Sequence, residues 1–331
     1  MGFWQDLPVL VTGADGFIGS HLTERLAAEG ARVRALAYYN SFARWGWLDE
    51  LPAAARERVE IFPGDIRDPQ RVEEAVQGQK VVFHLASLIA IPYSYHAPDS
   101  YVQTNVGGAL NVLNACRRQG VERLVHTSTS EVYGSARYVP IDEQHPLQGQ
   151  SPYSASKIGA DALAESYWRA FGLPVAIIRP FNTYGPRQSG RAVIPTMLSQ
   201  LAAGAQELRL GALSPTRDFN YVADTVEGFL AVARAEQALG RVVNIGSGRE
   251  IAIGDLAEKI MAAVGRKVPI LTEEARLRPA ASEVDRLLCD HTLARELTGW
   301  QPRHSLEEGL AATAAWVAAN LHHFRPGSYT I

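Results

Sequence analysis

Cysteine is almost absent from this chain: Cys116 and Cys289 are the only two in 331 residues. They stand far apart in helix-like surroundings, which argues against a disulfide framework and fits a reducing compartment, so a cytoplasmic protein is expected. An excess of basic charge is also missing. Lys and Arg number 32 against 35 Asp and Glu, a formal net charge of -3, so neither a nucleic acid nor an anionic membrane is an expected partner. No apolar run reaches spanning length, and no basic stretch followed by an apolar one opens the chain. Repeats and low-complexity segments are lacking, and no metal site is expected. What remains is a chain of ordinary apolar content, 47%, too long for one small core and suited to two lobes.

The amino-terminal half alternates strand-like and helix-like stretches, which implies right-handed crossovers and a parallel sheet in an α/β fold. Pro8-Val-Leu-Val-Thr12 runs into Gly13-Ala-Asp-Gly16-Phe-Ile-Gly19, and an amphipathic stretch follows to Glu29. Strand, glycine turn and helix form the context of a dinucleotide site. Gly13 permits the tight turn, Gly16 lets the backbone approach a pyrophosphate, and Gly19 lets the helix pack closely on its strand. The helix N-terminus then receives the phosphates.

The next strand, Arg32–Ala37, ends without the acidic residue that usually binds the adenosine ribose of NAD. Asn40 or Ser41 offers a bond to a ribose hydroxyl and Arg44 offers one to a 2'-phosphate, so these residues leave the choice between NAD and NADP open. Val59–Pro63 leads to Asp65-Ile66, either a helix cap or a clasp on the adenine with Ile66 flanking the ring. Lys80–Ala86 reads as a buried strand in which His84 is a core histidine. Its end, at Ser87, would lie beside the nicotinamide ribose. Helical periodicity covers Tyr101–Gln119. Arg123–Ser128 is a further strand, delivering Thr129, Ser130 and Glu131 to the sheet's carboxyl edge, where open α/β sheets bind ligands.

Ser151-Pro-Tyr-Ser-Ala-Ser-Lys157 places Tyr153 and Lys157 four apart, on one face of a helix. Ser151 suits the N-cap and Pro152 the first turn. An ammonium beside a phenol, with a helix N-terminus nearby, favours phenolate and makes Tyr153 a general base.

These motifs, with Arg179-Pro-Phe-Asn182-x-Tyr-Gly-Pro186, stand in the order and spacing of an extended short-chain dehydrogenase/reductase of the NAD-dependent epimerase/dehydratase family, which the chain resembles over most of its length. The resemblance implies a Rossmann-like doubly wound parallel sheet over residues 1–180, joined by some later segments. It implies a smaller α/β carboxyl-terminal substrate lobe, mainly residues 181–331. It also implies a homodimer, a tightly held nicotinamide cofactor, and Thr129, Tyr153 and Lys157 as the catalytic trio. To the cofactor it assigns Asp15, Phe17, Ile18, Leu85, Ala86, Ser87 and Thr104 besides the residues above. To a nucleotide-sugar substrate it assigns Ser94, Asn182, Arg191, Arg217 and Arg278. Two arginines on one diphosphate make physical sense, because the guanidinium fork fits phosphate oxygens.

Glu131 narrows the class. Thr-Ser-Glu-Val-Tyr-Gly resembles 4,6-dehydratases, in which this glutamate takes the C5 proton once C4 is a ketone. Many relatives carry Asp where Ser130 stands, so Ser130 or Glu131 itself must protonate the departing water. Three stretches, Tyr39–Asp49, Ser87–His96 and Arg276–Asp285, are similar to dehydratases of legionaminic-acid-type pathways, acting on UDP- or GDP-linked N-acetylglucosamine. The rival readings are a UDP-glucuronate decarboxylase, a 4-epimerase and a non-catalytic dinucleotide sensor. Trp45 and Trp47 either line the substrate mouth or pack their loop.

Overall fold

The computed structural model describes residues 2–327. Seven strands build its main sheet: β1 (Pro8–Thr12), β2 (Arg32–Tyr38), β3 (Val59–Gly64), β4 (Val81–His84), β5 (Arg123–Thr127), β6 (Val175–Pro180) and, from far later in the chain, β10 (Val242–Ile245). Their order is β10-β6-β5-β4-β1-β2-β3, and every neighbouring pair is parallel. All residues of β4 and β6 are buried, as a parallel sheet covered on both faces requires. Helix α1 (Phe17–Ala28) and helix α6 (Val222–Arg234) cover one face through Leu22, Leu26, Phe229 and Leu230. The other face takes α2 (Pro69–Val76), α3 (Gly108–Gln119) and α4 (Pro152–Phe171), through Val72, Val112, Leu113 and Ala164. The direction of winding reverses between β1 and β4, and ligand crevices of such sheets open there.

The periodic stretch from Tyr101 is not one regular helix. Val102–Gly107 is a π-helical turn before α3, a feature that redirects side chains and is frequent at functional sites.

The remaining elements form a second core. Strands β7 (Asn182–Tyr184), β9 (Thr216–Tyr221) and β11 (Glu250–Ala252) make a mixed sheet, and β8 (Leu208–Leu210) pairs with β12 (Ile270–Thr272). Helices α5 (Val193–Ala202), α7 (Ile253–Ala263) and α9 (Leu306–Ala319) pack Met197, Leu256, Ile260 and Leu310 against them, while α8 (Thr292–Thr298) lies against the first core. Trp47 packs edge-on against Trp316 of α9, at 5.3 Å between ring centroids, and against His323 at 4.9 Å. That indole is thus spent on holding its loop to the second core.

Asp218, fully buried on β9, joins the parts. One carboxylate oxygen accepts from the Ser247 N–H (2.8 Å) and hydroxyl (2.6 Å), and the other from the N–H groups of Gly248 (2.9 Å) and Cys289 (3.1 Å). Asp218→Ala strands these donors in a site too enclosed for free hydration. It should lower the unfolding free energy by about 4 kcal/mol in urea titrations with an unchanged slope. A loss below about 1 kcal/mol would show that water replaces the carboxylate.

Candidate active site

At the end of β1, Gly13 has a φ of +66°, and a Cβ built on it would lie 2.8 Å from the Ala86 nitrogen at the end of β4. A Cβ on Gly19 would lie 2.1 Å from the Gly13 carbonyl oxygen. Glycine is required at both positions by space, and at Gly13 by conformation too. The hydroxyl oxygen of Thr12 accepts from the Leu85 and Ala86 N–H groups, each at 3.1 Å, and bonds His84 Nδ1 at 2.9 Å. Burial pushes His84 well below its usual pKa, so it is a neutral core histidine. Gly16 caps α1 without a side-chain bond, and no acidic residue stands in the first turn, where Phe17 and Ile18 begin the helix. The helix therefore presents unpaired N–H groups where a pyrophosphate would sit. A bare backbone turn at the sheet's reversal point fits a dinucleotide cofactor.

The flanking residues divide. The Asp15 carboxylate accepts from the Tyr38 N–H at 3.3 Å, tying the glycine turn to β2. Asp65 accepts from the Arg67 backbone and guanidinium, and that side-chain bond lowers its pKa. The carboxylate stands at the end of β3 but already has a partner. Ile66 is buried under Gly108 of α3 instead of being open to a ring. Asn40 is also not free for a ribose. Its amide donates to the Arg44 carbonyl at 2.6 Å and its oxygen accepts from the Phe42 N–H at 3.0 Å, because asparagine readily closes its own loop. Ser41 is exposed beside it, and Thr104 is half-buried in the π-helical turn. The Ser87 hydroxyl donates to Asn105, and the Asn105 amide donates to the Leu88 carbonyl and to Ser156 of α4, both at 2.9 Å. Asn105 thus binds the loop after β4 to α4, a role its helical periodicity did not reveal.

Helix α4 starts as its sequence indicates. Ser151 and Ser154 cap each other's backbone N–H groups in a reciprocal box, with Pro152 in the first turn. Tyr153 and Lys157 share a face and are both buried. The expected lowering of the phenol is absent, however. Burial pushes the Tyr153 pKa well up, the Thr129 hydroxyl's hydrogen bond opposes this, and the charge of Glu131 adds to the rise. Lys157 Nζ donates to the Thr127 carbonyl at 2.5 Å, and burial pulls its pKa down to about 8. Spacing put the pair on one face, but the nearest carbonyl decided where the ammonium points. Thr129 also accepts from the Glu131 N–H at 3.3 Å and opens the short turn Ser130–Tyr133, which buries Ser130 and Glu131 beside the phenol.

Among the residues expected to bind substrate, Arg217 Nη2 donates to Glu283 at 3.0 Å, and Arg278 Nη1 lies 3.6 Å from the same carboxylate. Burial lowers the Arg217 pKa, and the charge of Glu131 works against that fall, so this guanidinium lies within electrostatic reach of both carboxylates. The Asn182 side-chain oxygen is buried without a hydrogen-bond partner. Arg191 is exposed, and its charge reaches Tyr101, which packs edge-on to Tyr153 at 6.2 Å. Ser94 does not face open space: it is fully buried and its hydroxyl donates to the Ile91 carbonyl at 2.7 Å, within its own helical turn. Glu283, the counter-charge of both arginines, was missed because carboxylates in an Arg-rich stretch carry no periodic signal.

Lys157 makes its burial testable. Its folded pKa of about 8 lies below the ordinary 10.5, so the unfolded chain holds an extra proton between those values and stability rises with pH across that window. Relative to Lys157→Met, the wild-type chain should gain up to about 3 kcal/mol from pH 8 to 10.5 in urea unfolding. A flat difference would mean that the ammonium is hydrated.

A family model described as GDP-mannose 4,6 dehydratase matches residues 10–313. A dTDP-glucose 4,6-dehydratase of Streptomyces griseus is 36% identical over 314 residues, covering 93% of each chain. A UDP-glucose 4-epimerase of Mycolicibacterium smegmatis is 35% identical over 310 residues, covering 92% of this chain and 96% of its own. The dTDP-glucose 4,6-dehydratase of Streptomyces venezuelae, solved with NAD bound, superposes with a TM-score of 0.87 at 31% identity, covering 97% of this chain and 99% of its own. A glycine turn at the reversal of a parallel sheet, a capped Tyr-x-x-x-Lys helix and these matches along nearly the whole chain agree: the protein belongs to the GDP-mannose 4,6-dehydratase family, among the NAD-dependent epimerases and dehydratases of the extended short-chain dehydrogenase/reductase group.

Proposed function

We propose that this protein is an NAD-dependent nucleotide-sugar 4,6-dehydratase, with a UDP- or GDP-linked N-acetylglucosamine as its substrate. Relatives named as dehydratases and as 4-epimerases match it about equally well, so the choice rests on the site. The observation that carries it is Glu131, a buried carboxylate two residues past Thr129 and within electrostatic reach of Tyr153. An epimerase needs no base at C5, and a carboxylate held there costs desolvation energy without return.

Bound NAD would supply a hydride acceptor for C4, a positive charge near Tyr153, and later the hydride for C6. The α1 N-terminus and the Gly13–Gly19 turn would hold its pyrophosphate. Tyr153 takes the proton from the C4 hydroxyl, with Thr129 orienting the shared oxygen and Lys157 holding positive charge behind it. Burial favours the protonated phenol in the free chain, so the positive charge of bound NAD, added to that of Lys157, would have to release the phenolic proton to solvent before Tyr153 accepts that of the C4 hydroxyl. The C4 ketone acidifies the C5 proton, which makes a carboxylate a sufficient base. Glu131 removes that proton, and Ser130 or the newly protonated Glu131 delivers one to the departing C6 hydroxyl. Arg217, Arg278, Arg191 and Asn182 hold the diphosphate end. A homodimer through the helical segments that carry Asn105 and Tyr153 belongs to the same reading, supported by the exposed apolar Val102 and Leu110 beside Asn105.

Incubation with UDP- and GDP-N-acetylglucosamine should give a product lighter by one water in mass spectrometry. Tyr153→Phe should lower turnover by about 10² to 10⁴-fold. Glu131→Gln should suppress water loss by about 10²-fold or more while oxidation at C4, read as nicotinamide absorbance, persists. An epimer formed without water loss, at a rate indifferent to Glu131→Gln, would make the protein an epimerase.

A further inference from the structure

Resting on that reading, the diphosphate end and the catalytic end meet at a residue that none of the motifs includes. Gln150 immediately precedes Ser151, the N-cap of the catalytic helix. Its amide donates to the main-chain carbonyls of Glu283 (3.1 Å) and Ala281 (3.3 Å), and its side-chain oxygen accepts from the Ser135 N–H at 2.5 Å. Its own carbonyl accepts from the Ser282 hydroxyl at 2.6 Å. Ser135 closes the circuit, since its hydroxyl accepts from the Asp285 N–H at 3.0 Å. The segment 278–285 is therefore stitched to two places at once: Ser135, two residues past the turn that carries Glu131, and Gln150, just before the helix of Tyr153.

That segment also bears Arg278 and Glu283. Arg278 Nη1 is buried without a hydrogen-bond partner, and the Glu283 carboxylate holds Arg217 at 3.0 Å. An arriving diphosphate competes with Glu283 for both guanidiniums, because its oxygens accept the same forks with more charge. The Glu283 carbonyl is held by the Gln150 amide at 3.1 Å and the Ser135 hydroxyl at 3.4 Å, so an adjustment of its backbone bears on Gln150, which makes three side-chain bonds of its own.

We propose that Gln150 is a positioning residue, coupling the seating of the substrate's diphosphate on Arg217 and Arg278 to the placement of Tyr153 and Glu131. It touches no reacting atom. Substrate without its nucleotide diphosphate would bind to a site whose base and phenol are not yet aligned, so binding energy from the remote end is spent on the chemistry.

Gln150→Glu keeps the size and the oxygen that serves Ser135 but sets a carboxylate against two carbonyls. In NAD-loaded wild-type protein, UDP or dTDP should slow amide hydrogen exchange in residues 131–136 and 147–153 as well as in 278–285. In the variant, protection should be confined to 278–285. Turnover of the nucleotide sugar should fall at least about tenfold while KM rises less than about threefold, a split that mere loosening of a loop would not give. Ser282→Ala, which breaks the bond to the Gln150 carbonyl, should shift exchange in the same direction and serves if Gln150→Glu does not fold. Protection of 147–153 that is equal in the wild-type and variant proteins, or unchanged turnover, overturns the coupling. An inactive wild-type protein that still shows the exchange pattern would instead overturn the assigned reaction and leave the coupling standing.

Discussion

Between the ends of β1 and β4 there is no room for a methyl group. Gly13 turns left-handed against Ala86, Gly19 lies against the Gly13 carbonyl, and Thr12 ties the two strand ends with a single hydroxyl. This close approach brings the uncapped start of α1 to the sheet's reversal point. It also places the loop after β4 within reach of Asn105, and through Asn105 within reach of Ser156 on α4. The glycine turn and α4 are thus linked by one continuous run of bonds through the Thr12 hydroxyl, the loop after β4, the Asn105 amide and the Ser156 hydroxyl.

Catalytic chemistry in such a place contends with desolvation. Burial raises the Tyr153 phenol and lowers Lys157 together, so the pair resists ionisation in the free chain. The ammonium is retained by the Thr127 carbonyl, and farther down the helix Asp161 is held by Ser128 (2.6 Å) and Arg179 (2.9 Å). The Asp161 charge favours protonation of Lys157. Positive charge is thereby stored behind the phenol rather than on it.

The second lobe contributes charge of both signs. Arg217 and Arg278 converge on Glu283, and Arg217 also feels Glu131. Two guanidiniums so close together without a counter-ion would repel each other in a buried setting. Glu283 relieves this in the free chain, and its backbone is the one held by Gln150 and Ser135. The arginine pair and the turns before α4 therefore share a short stretch of main chain, although the two sheets have separate hydrophobic cores.

Much of this could be read from local patterns. The glycine spacing, the Ser-Pro cap before Tyr153, the apolar strands and the Glu131 carboxylate are short-range signals, because turns, caps and strand faces depend on residues a few positions apart. Those signals carried the family and the doubly wound sheet, and they singled out Thr129, Tyr153 and Lys157 as the proposed catalytic trio. What they left open depended on partners distant in sequence. Asn40 closed its own loop, Ser94 turned inward, and the Lys157 ammonium chose a carbonyl on β5, thirty residues away, over the phenol. Glu283 met Arg217 across sixty-six residues, and Gln150 met Glu283 across one hundred and thirty-three. A side chain's chemical type is written in the sequence, but its hydrogen-bond partner and its exposure to water are set by packing, and these decide both its pKa and its role.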